Sequence, residues 1–237
     1  MIGNNLIALV ITFVVAIAWL RLNDFLAHRG IISSQLSRKI IHAGTGPIFV
    51  MCWILFKHNE SARYIAALVP LAITAQFALV GLGIIKDEAA VAAMSRTGDR
   101  REILRGPLFY GLVFIALTIL FWTESPIGMT ALMMLCGGDG LADIFGKRFR
   151  SAQLPWSRNK SLAGSLAMFI GGWLFSFGII GFYVLFGVFA APLTDYLIPI
   201  TVIALAATLI ESLPLKDVDN LTVPAISLLV GYLLFQG

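Results

Sequence analysis

The stretch "PIGMTALMML" followed by "CGGDGLADIFGKRF" (residues 126–149) joins an apolar run to a glycine-rich segment that carries two aspartates. A helix needs about 20 mostly apolar residues to cross a lipid bilayer, and this stretch is long enough. A carboxylate at membrane depth is costly, so Asp139 and Asp143 are expected to be there for function. The stretch therefore predicts a membrane helix that ends in a chemically active segment.

The composition of the whole chain also indicates an integral membrane protein. Of its 237 residues, 59% are hydrophobic and 13% are charged, whereas soluble domains average about 45–50% and about 25%. The formal net charge of +4 is too small to suggest nucleic-acid binding. Cys52 and Cys136 both lie in apolar segments, so neither a disulfide framework nor a cysteine metal site is expected.

Eight apolar segments are predicted to cross the membrane as helices of a single all-α domain, residues 1–237. The first is expected to be retained, because the run from Leu6 to Leu20 lacks the basic start and the cleavage site of a signal peptide. No role is expected for Gln236 and Gly237, since the final "LLFQG" resembles the remnant of a protease recognition site. The predicted segments are 4–22, 40–57, 63–85, 106–122, 126–146, 162–186, 193–212 and 221–236.

Basic residues divide unevenly between the loops that join these segments. Of the 17 Lys and Arg residues, 15 fall in the odd-numbered loops, and only Lys57 and Arg63 fall in the even-numbered ones. Loops rich in Lys and Arg stay on the cytoplasmic side. The odd-numbered loops are therefore predicted to be cytoplasmic, and both termini non-cytoplasmic.

Five polar clusters share that predicted cytoplasmic side, where a charged, water-soluble co-substrate would meet all of them. The outward loops carry only scattered polar residues. The clusters are "LSRKIIHAGTG" (36–46), "SRTGDRREILRGP" (95–107), "GGDGLADIFGKRF" (137–149), "WSRNKSLAGS" (156–165) and "ESLPLKDVDNLTVP" (211–224).

Asp139 and Asp143 are four residues apart, so a helix presents both carboxylates on one face. Such a pair suits Mg²⁺, which is often held by one or two carboxylates together with phosphate oxygens. The alternative is an ion cluster at the membrane edge with Lys147 and Arg148. The glycines nearby either let the backbone approach a ligand or serve only helix packing; they are Gly137, Gly138 and Gly140.

The segment "GLADIFGKR" is not a phosphate-binding P-loop, because five residues rather than four separate its glycines. A phosphate cradle is nevertheless indicated further on, at Lys160 and Ser161. Ser161 is a predicted N-cap of the next helix, and a helix N-terminus beside a lysine is suited to bind phosphate. The alternative is a plain cap with a lysine that extends to the membrane surface.

The remaining polar residues are weak signals when they are taken singly. Arg38 and Lys39 are typical of a basic membrane edge, and Glu102 suits a structural ion pair as well as it suits catalysis. Asp219 and Asn220 are ordinary turn residues. Their shared side of the membrane is what indicates a common site.

Four motifs taken together resemble the CTP-dependent polyprenol kinase family, most closely its phytol kinases. The resemblance keeps order and spacing from about Arg38 to the C-terminus. The third motif is also distantly similar to CDP-diacylglycerol synthases over Asp139 to Gly164. The motifs are "RKIIHAGTG", "GDRREILRGPLFYG", "CGGDGLADIFGKRF…LPWSRNKSLAGS" and "ESLPLKDVDNLTVP".

The resemblance implies a membrane enzyme that uses Mg²⁺ and transfers the terminal phosphate of CTP to an isoprenoid alcohol such as phytol, farnesol or geranylgeraniol. For phytol kinases the product, phytyl phosphate, feeds tocopherol synthesis. The catalytic roles that it implies fall on Asp139, Asp143, Lys160, Asp219 and Glu102, with Asp139 and Asp143 as the metal ligands. The nucleotide or phosphate contacts that it implies fall on Arg38, Lys39, His42, Arg101, Gly138, Gly140, Arg148, Asn159, Ser161, Gly164, Glu211 and Asn220.

One departure from the family pattern is Val218, which separates Asp217 from Asp219 where two adjacent acids are common, so the separate roles of these acids stay open. Other functions also stay open: a CTP-dependent diacylglycerol or dolichol kinase, a phosphatidate cytidylyltransferase, and a transporter. The one-sided polar clusters argue against a transporter, which also needs polar groups near the bilayer midplane. The residues indicate no oligomeric state.

Overall fold

The chain is mostly helical in the computed structural model, which describes residues 3–95, 97–215 and 218–235. Five residues that figured in the sequence analysis lie outside the described residues: Arg96, Lys216, Asp217, Gln236 and Gly237. The α-helices of the described part are α1 (Asn5–His28), α2 (Ser34–Cys52), α3 (Glu60–Leu82), α4 (Glu88–Met94), α5 (Gly106–Leu120), α6 (Pro126–Met133), α7 (Gly140–Arg148), α8 (Leu162–Leu185), α9 (Leu197–Glu211) and α10 (Asp219–Leu234). Three 3₁₀ turns (Trp53–Leu55, Arg100–Leu104, Leu193–Tyr196), a π-helical segment (Met134–Asp139) and a hairpin of β1 (Gln153–Leu154) and β2 (Ser157–Ser161) complete the order.

Six helical stretches within the described ranges are long and apolar enough to cross a membrane, judged by length and composition. They are Asn5–His28, Glu60–Leu82, Arg100–Leu120, Pro126–Arg148, Leu162–Leu185 and Leu193–Glu211. The helix α10 is apolar but shorter, and α2 is not among the six. These six stretches and the mostly helical fold confirm the prediction of an all-α, multi-pass membrane protein. The short β-hairpin was not expected. Eight crossings with both termini outside stay a prediction.

Two compact units make up the chain. The first comprises the chain up to Ile41 together with Cys52–Leu120. Within it α3 packs against α5 and α1. The second comprises His42–Met51 and the chain from Phe121 onward. There α8 packs against α6, the π-helical segment, α7 and α9, while α10 packs against α6 and α9. The single-domain assignment stays a prediction.

The apolar first half of the stretch 126–149 forms a buried centre of the second unit. Residues 129 and 131–136 are completely buried, as expected for a helix that is apolar on every side. Small residues let α8 approach its backbone closely. A Cβ on Gly138 would lie 2.7 Å from the Met168 sulfur, and one on Gly172 would lie 2.5 Å from the Met134 sulfur. The π-helical segment ends at Asp139, and such segments are frequent at functional sites.

Two completely buried serines of the second unit differ in their hydrogen bonds, which predicts opposite effects on stability. Ser227 Oγ donates to the Val223 carbonyl at 2.7 Å, whereas Ser176 Oγ has no hydrogen-bond partner among the residues described. An unsatisfied buried hydroxyl costs about 1–3 kcal/mol, and a typical hydrogen bond contributes about 1 kcal/mol. Ser176→Ala is therefore expected to raise the unfolding temperature in detergent, and the matched variant Ser227→Ala to lower it. Shifts of the same sign would contradict this reading.

Candidate active site

Five ionisable side chains of the second unit lie together where several of its elements begin or end. His42 is on α2, Asp139 ends the π-helical segment, Lys160 is on β2, Glu211 ends α9 and Asp219 begins α10. The Lys160 Nζ lies 2.5 Å from Glu211 Oε1 and 3.2 Å from Asp219 Oδ2. The His42 Nε2 lies 3.3 Å from Asp139 Oδ2. Asp139 is close enough to Lys160 for its charge to influence the lysine pKa, so the two pairs belong to one cluster.

The β-hairpin positions Lys160. Its strands are antiparallel, with Gln153 opposite Ser161 and Leu154 opposite Ser157. The Trp156 indole N–H donates to the Ser212 carbonyl at 3.1 Å and to the Ser212 hydroxyl at 3.3 Å. This contact ties the hairpin to the residue that follows Glu211, and so brings the Lys160 ammonium to the Glu211 carboxylate.

Ser161 caps α8 as predicted: its hydroxyl accepts from the Gly164 N–H at 3.2 Å. The cap fixes the point where β2 gives way to α8, one residue after Lys160. The lysine is therefore anchored on both sides, by the hairpin before it and by the helix start after it.

Burial and charge act on the Lys160 ammonium in opposite directions. Burial lowers the pKa of Lys160, but the charges of Glu211, Asp219 and Asp139 and the hydrogen bond to Glu211 outweigh burial and raise the pKa above its usual value. Lys160 therefore carries a positive charge at neutral pH. The charge is largely shielded from water, since the lysine side chain is 21% exposed and that of Glu211 only 6%.

This raised pKa predicts how stability responds to alkaline pH. A pKa that is higher in the folded state than in the unfolded chain adds stability that is complete below the unfolded value, about 10.4 for lysine. That stability is lost as pH rises through the folded-state pKa. In unfolding experiments in detergent, the stability difference between the wild type and Lys160→Met is expected to stay constant from neutral pH up to about pH 10, and to shrink above it. A difference that shrinks already near pH 8 would contradict the raised pKa.

The two aspartates predicted as metal ligands have separate partners. Asp139 contacts His42, and Asp143 forms an ion pair with Lys147, one helical turn away, at 2.9 Å. The ion-pair alternative is thus observed for Asp143. No group of three or more His, Cys, Asp or Glu side chains that could hold a metal occurs in the described part of the chain.

The predicted phosphate-contact glycines lie in tight packing contacts. A Cβ on Gly140 would lie 2.9 Å from the Ala43 Cβ, and one on Gly164 would lie 3.2 Å from the Ala142 carbonyl oxygen. Gly138, as described above, packs on Met168. For Gly138 and Gly140 these contacts agree with the packing alternative. The nucleotide contacts of all three glycines stay predictions.

Three other predicted contact residues lie in the second unit, on elements that carry or follow cluster residues. Arg148 ends α7, Asn159 is on β2 and Asn220 is the second residue of α10. Arg148 and Asn159 are exposed. The structure therefore brings His42, Lys160, Glu211 and the two acids Asp139 and Asp219 together, with these three residues on neighbouring elements.

The first unit contains the other predicted site residues, which are Arg38, Lys39, Arg101 and Glu102. Arg38 Nη1 donates to the Ser95 carbonyl at 2.8 Å. The Glu102 carboxylate accepts from the Thr97 N–H at 3.2 Å and from the Thr97 hydroxyl at 3.0 Å. These bonds order the segment between α4 and α5, and the predicted catalytic role of Glu102 stays a prediction.

Sequence reasoning gave no role to two residues, one in the hairpin and one in the first turn of α8. Trp156 was quoted in a motif but received no role, although a tryptophan inside a polar segment is a signal for an anchoring contact. Ser165 Oγ is buried without a hydrogen-bond partner among the described residues, one turn after Ser161. Its signal was weaker, because a serine in the first turn of a helix is ordinary.

Comparison with known proteins yields plant relatives that align with most of the chain. The chain is 41% identical over 222 residues to a probable chloroplastic phytol kinase of Triticum aestivum. That alignment covers 93% of this chain and 74% of the relative. It is 40% identical over 214 residues to chloroplastic phytol kinase 1 of Arabidopsis thaliana, with 90% and 70% covered. It is 39% identical over 234 residues to the chloroplastic farnesol kinase of Arabidopsis thaliana, with 98% and 76% covered.

No protein-family model matches the chain, and no solved structure matches it. The relatives nevertheless agree with one another in activity class, and each aligns with nine-tenths or more of this chain. The chain therefore belongs to the phytol and farnesol kinase family and is an alcohol kinase.

Proposed function

We propose that this enzyme transfers the terminal phosphate of CTP to phytol or a similar isoprenoid alcohol, with Mg²⁺ as cofactor, at the cytoplasmic face of a membrane. The observation that carries the proposal is the charged cluster around Lys160, in a chain whose relatives are named for phytol and farnesol. The choice of CTP and Mg²⁺ rests on the resemblance of the four motifs to the CTP-dependent polyprenol kinases.

The donor set fits a magnesium ion that substrate phosphates help to hold. Mg²⁺ prefers oxygen ligands and is commonly bound through one or two carboxylates plus phosphates, rather than by an all-protein cage. Asp139 and Asp143 supply two carboxylates one turn apart, with side chains that are 15% and 28% exposed and so within reach of a ligand from water. These residues would hold Mg²⁺, which when bound neutralises negative charge on the phosphates.

Lys160 is the group of this chain that neutralises charge on the transferring phosphate. Phosphoryl transfer depends mainly on alignment and on electrostatic stabilisation of the spreading negative charge. The ammonium is positioned before substrate arrives, because Glu211 and Asp219 hold it on two sides. Glu211 itself is a poor phosphate ligand, since an ionised carboxylate accepts but does not donate hydrogen bonds. We therefore assign Glu211 as a positioning residue for Lys160.

The reaction balances as a direct in-line displacement. The alcohol oxygen forms a bond to the terminal phosphorus as the bond from that phosphorus to the bridging oxygen of CTP breaks, and CDP leaves. The hydroxyl proton passes to a carboxylate of the cluster, Asp139 or Asp219. The apolar tail of the alcohol needs only a groove between apolar helices, since no polar group on it has to be recognised.

The predicted membrane face follows from the distribution of basic residues. The loops that contain Lys160 and the polar clusters are those with 15 of the 17 Lys and Arg residues, which favours the cytoplasmic side. Nucleotide contacts from Arg38, Lys39 and Arg101 of the first unit stay predictions.

The decisive experiment incubates purified protein with γ-labelled CTP or ATP and a panel of phytol, farnesol, geranylgeraniol, dolichol and diacylglycerol. We expect label on phytol or another short isoprenoid alcohol, release of CDP, and dependence on Mg²⁺. Label on diacylglycerol or dolichol alone would overturn the substrate, and transfer from ATP alone would overturn the donor. Release of pyrophosphate would indicate a cytidylyltransferase instead.

A further inference from the structure

The connection between α7 and α8 has an excess of positive charge that the cluster does not use. The chain has no acidic residue between Asp143 and Asp195, but five basic residues lie within that interval. They are Lys147, Arg148, Arg150, Arg158 and Lys160. Both lysines have carboxylate partners. The three arginines are exposed and have no acidic partner among the residues the structure describes.

Exposed aromatic rings accompany these arginines. Phe149 is 53% exposed and stacks on Phe145 with ring centroids 5.6 Å apart. Trp156 is 55% exposed although its N–H is bonded to Ser212, so the polar edge of the indole is satisfied while much of the ring faces outward. An indole with its N–H bonded and the rest of its ring exposed is typical of the membrane interface, where one end of the side chain is apolar and the other is wet.

The position of the connection identifies that environment. It joins Pro126–Arg148 to Leu162–Leu185, two of the stretches that are long and apolar enough to cross a membrane. A short segment between two such helices lies at the membrane surface. Aromatic rings are enriched at that level, and arginines match phosphate oxygens with paired hydrogen bonds.

We infer that Arg148, Arg150 and Arg158, together with Phe149 and Trp156, form a binding surface for the phosphates of anionic membrane lipids. This surface goes beyond the proposed kinase reaction and needs no nucleotide. Attraction to an anionic membrane surface is about 1 kcal/mol per Lys or Arg, or about fivefold in lipid preference for each arginine. Nucleotide phosphates share the same chemistry, so the test must separate the two sources.

Trp156 serves as the reporter in that test. The protein is placed in nanodiscs that contain brominated phosphatidylcholine or brominated phosphatidylglycerol, without nucleotide. The Trp156 contribution to quenching is the difference between the wild type and Trp156→Phe. We expect stronger quenching of Trp156 by the brominated phosphatidylglycerol, because the arginines enrich that lipid beside the ring.

Variants of Arg150 and Arg158, which lie outside the proposed kinase site, test whether the arginines cause the lipid preference. Arg150→Gln with Arg158→Gln is expected to lower the preference for phosphatidylglycerol by up to about 25-fold, two factors of five. Arg150→Lys with Arg158→Lys keeps the charge and most of the preference. The control variant Lys57→Gln with Arg63→Gln makes an equal change of charge just before α3 and in its first turn. It is expected to leave the lipid preference unchanged.

Two results would overturn the inference. One is equal quenching by the two brominated lipids in the wild type. The other is that Arg150→Gln with Arg158→Gln keeps the lipid preference but raises the KM for CTP in nanodiscs of pure phosphatidylcholine. The arginines would then bind the nucleotide and not the lipid. The quenching readout requires no turnover, so failure of the proposed kinase reaction would leave this test intact.

Discussion

Asp139→Asn is expected to lower the rate of phosphoryl transfer by at least about 10²-fold while the protein stays folded in detergent. The substitution keeps the size and shape of the side chain and removes one negative charge. Asp139 lies beside His42, and its charge helps to raise the pKa of Lys160, so the loss acts on the cluster itself. The measurement is turnover with labelled CTP and phytol, alongside the thermal unfolding midpoint.

Asp195→Asn is the matched control for that experiment. Asp195 is exposed and precedes α9, at the opposite end of that helix from Glu211. The same chemical change there should leave turnover within about twofold of the wild type, as for a surface substitution far from the site. Near-normal turnover in Asp139→Asn would remove Asp139 from the mechanism, whatever the control shows.

Lys160→Met is expected to have the second large effect, on activity and on stability together. Loss of a cation that stabilises a transferring phosphoryl group costs about 10³-fold or more in rate. Removing one partner of a buried ion pair costs about 3–5 kcal/mol, because the other charge is left without compensation. Since Lys160 holds Glu211, whose side chain is only 6% exposed, both losses should be measurable.

A second substitution separates these two losses. Replacing both members of a buried ion pair by neutral groups is often close to neutral for stability. Adding Glu211→Gln to Lys160→Met should therefore reverse much of the drop in the thermal unfolding midpoint. It should restore none of the activity. If the double variant recovers both, Lys160 serves only the fold; if it recovers neither, Glu211 has a role beyond holding the lysine.

The helical membrane character of this chain could be predicted because the signal is local. Apolar runs such as 162–186 and 193–212 follow directly from the residues they contain, and each coincides with an observed helix. The Ser161 cap was equally local, since it joins residues three apart. The β-hairpin was missed, because a polar segment of this length has no periodicity that distinguishes a strand from a loop.

Only the tertiary structure decides which charged side chains of the site pair with one another. The sequence by itself determined that acids, a lysine and glycine-rich bends occur in separate motifs, and that a family resemblance connects them. It did not determine that Lys160 contacts Glu211, 51 residues away, and Asp219, 59 residues away. Nor did it show that Trp156 anchors the hairpin on Ser212. Contacts at such separations depend on how α8, α9 and α10 pack, and helix packing is decided by complementary side-chain surfaces that no local pattern encodes.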